Sequence, residues 1–142
     1  MFSSPFDQKK QDVLVPANAE IVVVADMFAN DYLGGAELTT EALLKSSPLS
    51  VFRIHAKDVT MSTLESGYNK FWIFTNYASM NLELIPTIVS NVKYAIVEYD
   101  YKFCRYRSIE KHLSAEMKEC DCHNDMHGKL TSAFFHAATT VF

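Results

Sequence analysis

The stretch Glu20-Ile21-Val22-Val23-Val24-Ala25-Asp26 is followed by a loop that reaches Gly34-Gly35-Ala36-Glu37, and the loop opens into the helical pattern Leu38 to Leu44. The unbroken run of β-branched residues reads as a buried strand, so the segment is a strand, a glycine turn and a helix N-terminus in succession. That arrangement builds an anion or phosphate site. Glycine lets the backbone approach a ligand closely, and the free N–H groups of a first helical turn, with the helix dipole behind them, favour negative charge. The same two glycines can instead do no more than close a tight strand–helix connection. Neither G-x-G-x-x-G nor Gly-Lys-Ser/Thr occurs, which argues against a dinucleotide fingerprint and a P-loop.

Working outward, Ser50 to Ala56, Phe71 to Thr75 and Tyr94 to Tyr99 are short runs rich in β-branched or aromatic residues and predict three further strands. Helical patterns lie between them. Ala36 to Lys45 is the clearest. Asn81 to Asn91 has a cap in Asn81, apolar positions at Leu82, Ile85 and Ile88, and a proline, Pro86, that predicts a kink or a late start. Thr60 to Gly67 is a shorter piece. Leu130 to Ala138 is helical in composition, and Thr139-Thr140-Val141-Phe142 then turns β-branched and aromatic, as a further strand would begin. Strand and helix in alternation predict an α/β fold, a Rossmann-like parallel sheet with helices on both faces. The expected organisation is a loosely ordered arm over 1–18 and one domain over 19–142.

At 142 residues, 49% of them hydrophobic and 13% aromatic, the chain has ample material for one packed core. Its net charge of −4 lacks the basic footprint of a protein that displaces counterions from nucleic acid. Met1 to Pro16 is polar and carries Lys9 and Lys10 without the apolar run of roughly 7–15 residues that a secretory signal needs. No apolar stretch approaches the ~18–20 residues of a membrane span. These features predict a soluble, cytoplasmic protein with no transmembrane segment and no nucleic-acid partner.

The segment EIVVVADMFANDYLGGAELTTEALL resembles the first strand, glycine loop and first helix of the amino-terminal domain of GT-B glycosyltransferases. The similarity is to the large retaining, nucleotide-sugar-dependent family, whose members often read D-x-F/Y…GGAE at this place. SAFFHAATTVF is similar to the family's late helix running into a strand, so the resemblance spans most of the chain after about Ala19. It implies an acceptor-side domain that faces a second Rossmann-like domain holding the nucleotide-sugar. Gly34 and Gly35 would present backbone to the donor phosphates, Glu37 would complete the motif, and Asp26 would lie at the rim where open α/β sheets bind ligands. The implied reaction is transfer of a sugar from a nucleotide-sugar to a glycan or other hydroxyl acceptor. The donor site, with its usual pair of glutamates, would come from a partner domain or chain. The alternative expectation is a non-catalytic binding or assembly module with the same fold.

A second constellation is Cys104, then Cys120-Asp121-Cys122-His123, then His127, with His112 between. Thiolate and imidazole are the ligands zinc prefers, and four of them complete a structural site. The expected set is Cys104, Cys120, Cys122 and His127, with His123 as the alternative fourth ligand, and the expected metal is a structural zinc. The competing readings are a reduced Cys-x-Cys in an exposed loop and a pair that bonds only on oxidation.

Glu98 and Asp100 follow the fourth strand, at the edge where parallel sheets bind ligands, and can either hydrogen-bond sugar hydroxyls or pair with Lys102, Arg105 or Arg107. The run Tyr101 to Arg107 mixes aromatic and basic residues, which on an acidic chain reads as a solvated face. His55 and His136 sit among apolar residues and read as satisfied core histidines, with no adjacent nucleophile to suggest catalysis.

Overall fold

The computed structural model describes residues 11–142, so the first ten residues of the expected arm lie outside the described residues. Five strands form one all-parallel sheet: β1 (Ile21–Ala25), β2 (Val51–His55), β3 (Phe71–Phe74), β4 (Lys93–Ile96) and β5 (Thr140–Val141), in the spatial order β2-β1-β3-β4-β5. In register, Val22 lies beside Phe52 on one side and Trp72 on the other, and Trp72 in turn beside Tyr94. The chain leaves β1 toward β2 and then crosses back past β1 to β3. The strand order therefore reverses between β1 and β3, and above the carboxyl ends of those two strands lies the crevice in which open α/β sheets bind their ligands.

The crossovers are α1 (Gly35–Ser46), α2 (Met61–Ser66), α3 (Ile85–Asn91), and the pair α4 (Ile109–Glu116) and α5 (Met126–Ala137). Right-handed crossovers that run in opposite directions from β1 land on opposite faces of the sheet. Accordingly α2, α3 and α5 cover one face, where Val22, Val24, Trp72, Phe74, Tyr94 and Ile96 meet Leu64, Ile85, Ile88 and Phe134. The intervening strand residues point the other way, and Val23, Ala25 and Ile73 join Phe28 and Leu44 under α1. Period-two alternation thus divides each strand between two cores.

The larger core is aromatic at its centre. The ring of Phe134 lies 5.1 Å from Phe74, 5.2 Å from Tyr77 and 4.7 Å from Tyr94. Two of its rings satisfy their polar atoms on backbone: the Trp72 indole N–H donates to the Gly67 carbonyl at 2.8 Å, and the Tyr94 hydroxyl donates to the Phe134 carbonyl. Burial pushes the Tyr94 phenol up to about 12.

The strands and helices fall where the sequence pattern puts them, with four differences. Asn81–Asn91 is split into a 3-10 turn at Leu82–Leu84 and α3, which starts late with Pro86 in its first turn, where a missing N–H costs nothing. β4 stops at Ile96 rather than reaching Tyr99; Val97 and Glu98 still donate to the Phe74 and Phe142 carbonyls, and the chain bends away at 99–100. α5 begins at Met126, four residues before the expected start, because Asp125 caps it by accepting from the Gly128 N–H at 3.1 Å. α4, not expected from the sequence, is capped by Ser108, whose hydroxyl accepts from the Lys111 N–H at 3.3 Å. Within the expected arm, Val15 is buried, its N–H donates to the Ser66 hydroxyl at 2.9 Å, and the Thr63 hydroxyl donates to the Val13 carbonyl. No helix among the described residues is long and apolar enough to cross a membrane.

Candidate functional site

Two places collect chemistry-bearing side chains. The first is a buried group in the long excursion between β4 and α5. Cys104, His112, Cys120 and Cys122 bring one ligand atom each to within 4.8 Å of one another. Cys104 and Cys122 are fully buried, His112 is 0% exposed, and all three cysteines are free. The His112 Nδ1 lies 3.4 Å from the Cys104 Sγ and 3.5 Å from the Cys122 Sγ. Zinc bonds of ~2.3 Å to sulfur and ~2.0 Å to nitrogen, set at the tetrahedral angle, separate a sulfur and a nitrogen ligand by about 3.5 Å. The observed spacings match that figure, so the group can hold a metal ion.

Local structure explains how residues so far apart in sequence converge. Cys104 sits in a turn closed by its own N–H on the Tyr101 carbonyl and by the Arg107 N–H on the Cys104 carbonyl. Ser108 then starts α4, which delivers His112 on its buried face. Met117, in the left-handed conformation at φ 57°, ends the helix and turns the chain toward Cys120 and Cys122. The last turn packs against the start of α5 so closely that a Cβ on Gly128 would lie 2.0 Å from the Cys122 carbonyl oxygen. Only glycine fits there.

The surroundings suit a metal-bound thiolate. The Arg105 backbone N–H donates to the Cys122 Sγ at 3.4 Å. Burial pushes the Cys122 thiol up, but the Arg105 N–H and guanidinium outweigh it and hold the group below its ordinary value. The Cys120 thiol is held above its ordinary value: the Cys122 backbone N–H lowers it, while burial and the neighbouring thiols of Cys104 and Cys122 outweigh that effect. On the far side of the imidazole, the His112 Nε2 is buried with no hydrogen-bond partner, and the nearest carboxylate is the Asp121 Oδ1 at 3.7 Å. A carboxylate behind a ligating histidine is the usual second layer of a metal site.

The expected fourth ligand needs correcting. Neither His123 nor His127 belongs to this group; the Nε2 of His127 is 3.0 Å from the Lys102 carbonyl, and His123 is exposed. His112 takes the place assigned to them. A regular spacing, eight residues from Cys104 to His112 and eight more to Cys120, was the available signal, and it needed the Ser108 cap to be read as the start of a helix.

The second place is the carboxyl edge of the sheet. Gly34 is the N-cap of α1 and supplies no side chain to the orphan N–H groups of the first turn. Neither glycine adopts a positive φ. A Cβ on Gly35 would meet nothing within 4 Å, whereas one on Gly34 would lie 2.3 Å from the Glu37 carboxylate and 2.7 Å from the Tyr32 ring. Gly35 therefore faces open space, while Gly34 is overhung by its own neighbours.

Asp26 is engaged in holding the edge together. Its carboxylate accepts from the Ala78 N–H at 2.8 Å, the Ser79 N–H at 2.9 Å and the Ser79 hydroxyl at 2.6 Å, clasping the end of β1 to the loop after β3 across the strand-order reversal. Asp31 accepts from the Phe28 N–H at 2.9 Å and pairs with the His55 Nε2 at 2.7 Å. The hydrogen bond from His55, then that from Phe28, holds its carboxyl below the ordinary carboxylate value. Asp100 uses one oxygen for both Lys102, at 3.0 Å, and Arg107, at 3.3 Å, the ion-paired alternative of the two read from the sequence, and Glu98 is exposed beside it. Lys102 is 0% exposed; burial pushes its ammonium down and Asp100 opposes the shift. Arg107 lies over the Tyr77 ring, 5.2 Å from its centroid, and the Tyr77 hydroxyl is buried without a partner.

Under α1 the sheet face is incompletely filled. A cavity of about 400 Å³ opens there, lined by Val23, Leu43, Leu44, Ile73, Val97 and Phe142 among others. Compared with protein-family models, curated proteins and solved structures, the chain shows no match.

Proposed function

We propose that this chain is the acceptor-side half of a GT-B-type, nucleotide-sugar-dependent glycosyltransferase, with its ligand edge above β1 and β3. The observation that carries the reading is the start of α1: a glycine-led helix N-terminus without a side-chain cap, placed at the carboxyl end of β1 beside the point where the strand order reverses. In this reading the first-turn N–H groups at Gly35 to Glu37 face the donor phosphates. Glu98 is available to sugar hydroxyls, and Asp26 and Asp100 shape the edge through the bonds they already make. The cavity under α1 supports the companion expectation of a partner domain or chain, since it leaves apolar sheet residues for another surface to cover.

The test is release of nucleoside diphosphate from a panel of nucleotide-sugars by the protein as its natural source produces it, beside the Gly35→Ala variant. A methyl at Gly35 meets open space, so the fold is expected to survive. The expected outcome is turnover by the parent chain and about 10-fold or greater loss in the variant, the scale of a disturbed backbone-donor site. Absence of turnover with every donor, together with an intact mass near the 16.1 kDa of this chain, would favour a non-catalytic binding or assembly module instead.

A second, compatible reading is favoured by the cysteine group: a structural zinc held by Cys104, His112, Cys120 and Cys122. Four protein ligands leave no open coordination position for a reacting water, which suits a structural site and not a catalytic one. Equimolar zinc in the purified protein, lost from His112→Ala, is the expected result. Oxidation of Cys120 and Cys122 to a disulfide without bound metal would overturn it.

A further inference from the structure

We infer that the metal centre sets the conformation of the ligand edge, by clamping the two ends of the turn that lays Arg107 on Tyr77. The inference rests on the zinc reading above. It concerns what the metal does, not whether it binds.

Arg107 is the pivot. It has φ 59°, in the left-handed region, outside any helix cap. A non-glycine residue there is strained and keeps the conformation only when its surroundings over-determine it. The two ligands nearest in sequence bracket it. Cys104 precedes it by three residues and receives its N–H at 2.9 Å on the backbone carbonyl, and Ser108, immediately after it, starts the helix that carries His112. A metal bonded to both the Cys104 sulfur and the His112 imidazole fixes the span between them, and with it the strained residue.

Ring contacts hold the margin of the turn, Phe103 lying 5.0 Å from Phe135 and Tyr106 5.3 Å from His112, but its fully buried centre is of another kind. Between Val97 and Asp125 the fully buried residues are Lys102, Cys104, His112 and Cys122, a set with no aliphatic or aromatic side chain to collapse around. Without a metal, this interior holds three thiols, an imidazole whose Nε2 has no partner, and an ammonium whose partners are one carboxylate oxygen, a carbonyl and the Tyr77 ring. Burial of such groups costs free energy unless they are bonded.

What the turn delivers is a guanidinium at the carboxyl edge. Arg107 stacks on Tyr77 and pairs with Asp100, and the residues after Tyr77, Ala78 and Ser79, are those that Asp26 holds at the end of β1. The metal centre is thus joined through named contacts to the crevice between β1 and β3. Loss of the metal would release Arg107 and leave Tyr77 with the Lys102 ammonium alone, 5.9 Å from its ring centroid, while β1 and β3, packed in the aromatic core, would stay in place.

The experiment is hydrogen exchange read by mass spectrometry on the full chain, with zinc bound and after removal by a chelator, zinc content being measured in the same samples. The expected result is roughly tenfold or faster exchange of amides across 98–125 on removal, with those of β1 and β3 unchanged, the pattern of a local opening. Restoring zinc should restore protection. A full zinc complement whose removal leaves 98–107 unchanged would overturn the inference and leave the zinc reading intact. Equal loss of protection in β1 and β3 would also overturn it, since the metal would then serve the whole fold. A chain with no zinc as isolated and none taken up on addition would overturn both.

Discussion

The core between the sheet and α5 and the interior of the 97–125 excursion are both closed to solvent, yet they are made of opposite materials. The first is a contact of rings, Trp72, Phe74, Tyr77, Tyr94 and Phe134, in which the polar atoms of Trp72 and Tyr94 are each satisfied by a backbone carbonyl and the Tyr77 hydroxyl is left without a partner. The second buries Lys102 and His112, polar groups whose burial costs free energy unless they are bonded, beside two small thiols, Cys104 and Cys122. The ring core is ordered by apolar burial at roughly 25 cal/mol per Å² and needs no partner. If coordination bonds order the excursion, as proposed, the two regions of one chain should answer to two different perturbations.

The largest separation comes from Phe134→Ala. Removing a fully buried ring that touches three others should cost about 3–5 kcal/mol in denaturant unfolding, by a similar amount with zinc bound or removed. If the loss vanished in the metal-free chain, the ring core would depend on the metal and the contrast would fail.

Gly128→Ala addresses the seam between the two regions. The new methyl would collide with the Cys122 backbone at 2.0 Å, so either α5 or the ligand turn must shift. A loss of stability of about 1–3 kcal/mol, the usual range for overpacking, should be accompanied by weaker metal binding. Weaker stability with unchanged metal affinity would show that the turn around Cys122 is held independently of α5.

Asp121→Asn acts on the excursion alone. It removes the carboxylate 3.7 Å behind the His112 Nε2, and outer-layer substitutions of this kind lower metal affinity by about 10–100-fold. A competition titration against a zinc indicator measures it. Unfolding of the sheet in the metal-saturated variant should match that of the parent chain, and an unchanged affinity would show that Asp121 serves Lys118 and not the imidazole.

The smallest effect belongs to acid. Asp31 has its carboxyl lowered from 3.8 by His55 and the Phe28 N–H, so its contribution to stability is fully present above that value and is lost as pH falls through the lowered one. Asp31→Asn should remove this share of the acid sensitivity, read as a shallower dependence of the unfolding midpoint between about pH 5 and pH 2. The His55 partner sits at the carboxyl edge, away from the cysteines, so metal content should be unaffected. An unchanged acid profile would assign the sensitivity to other carboxylates, such as Glu41, which pairs with Arg53 and is lowered by it.

Much of the scaffold was legible without coordinates because it depends on short-range pattern. The run Ile21 to Val24, the Pro86 start of α3 and the alternation of strand and helix report local geometry, and a parallel sheet follows from their repetition. The candidate metal group was legible in kind but not in membership. Three cysteines and several histidines suggest metal chemistry, yet proximity in sequence favoured His123 and His127 beside Cys122, while the histidine that lies among the cysteines is His112, from a helix with a weak apolar signature. The carboxylates at the sheet edge were legible as positions only. Asp26 reads as a ligand-facing residue until the loop after β3 is seen to fill its oxygens.

The sequence by itself determined the class of fold, the glycine-led start of α1 at the end of β1, and the presence of soft, nitrogen- and sulfur-bearing ligands, because each rests on residue type and on spacings shorter than one element. Tertiary structure alone decided the strand order β2-β1-β3-β4-β5, the choice of His112, the strained Arg107 on Tyr77 and the need for glycine at position 128. Those depend on which distant segments meet. Contacts of that kind are selected by the joint packing of the whole chain, and no local pattern encodes them.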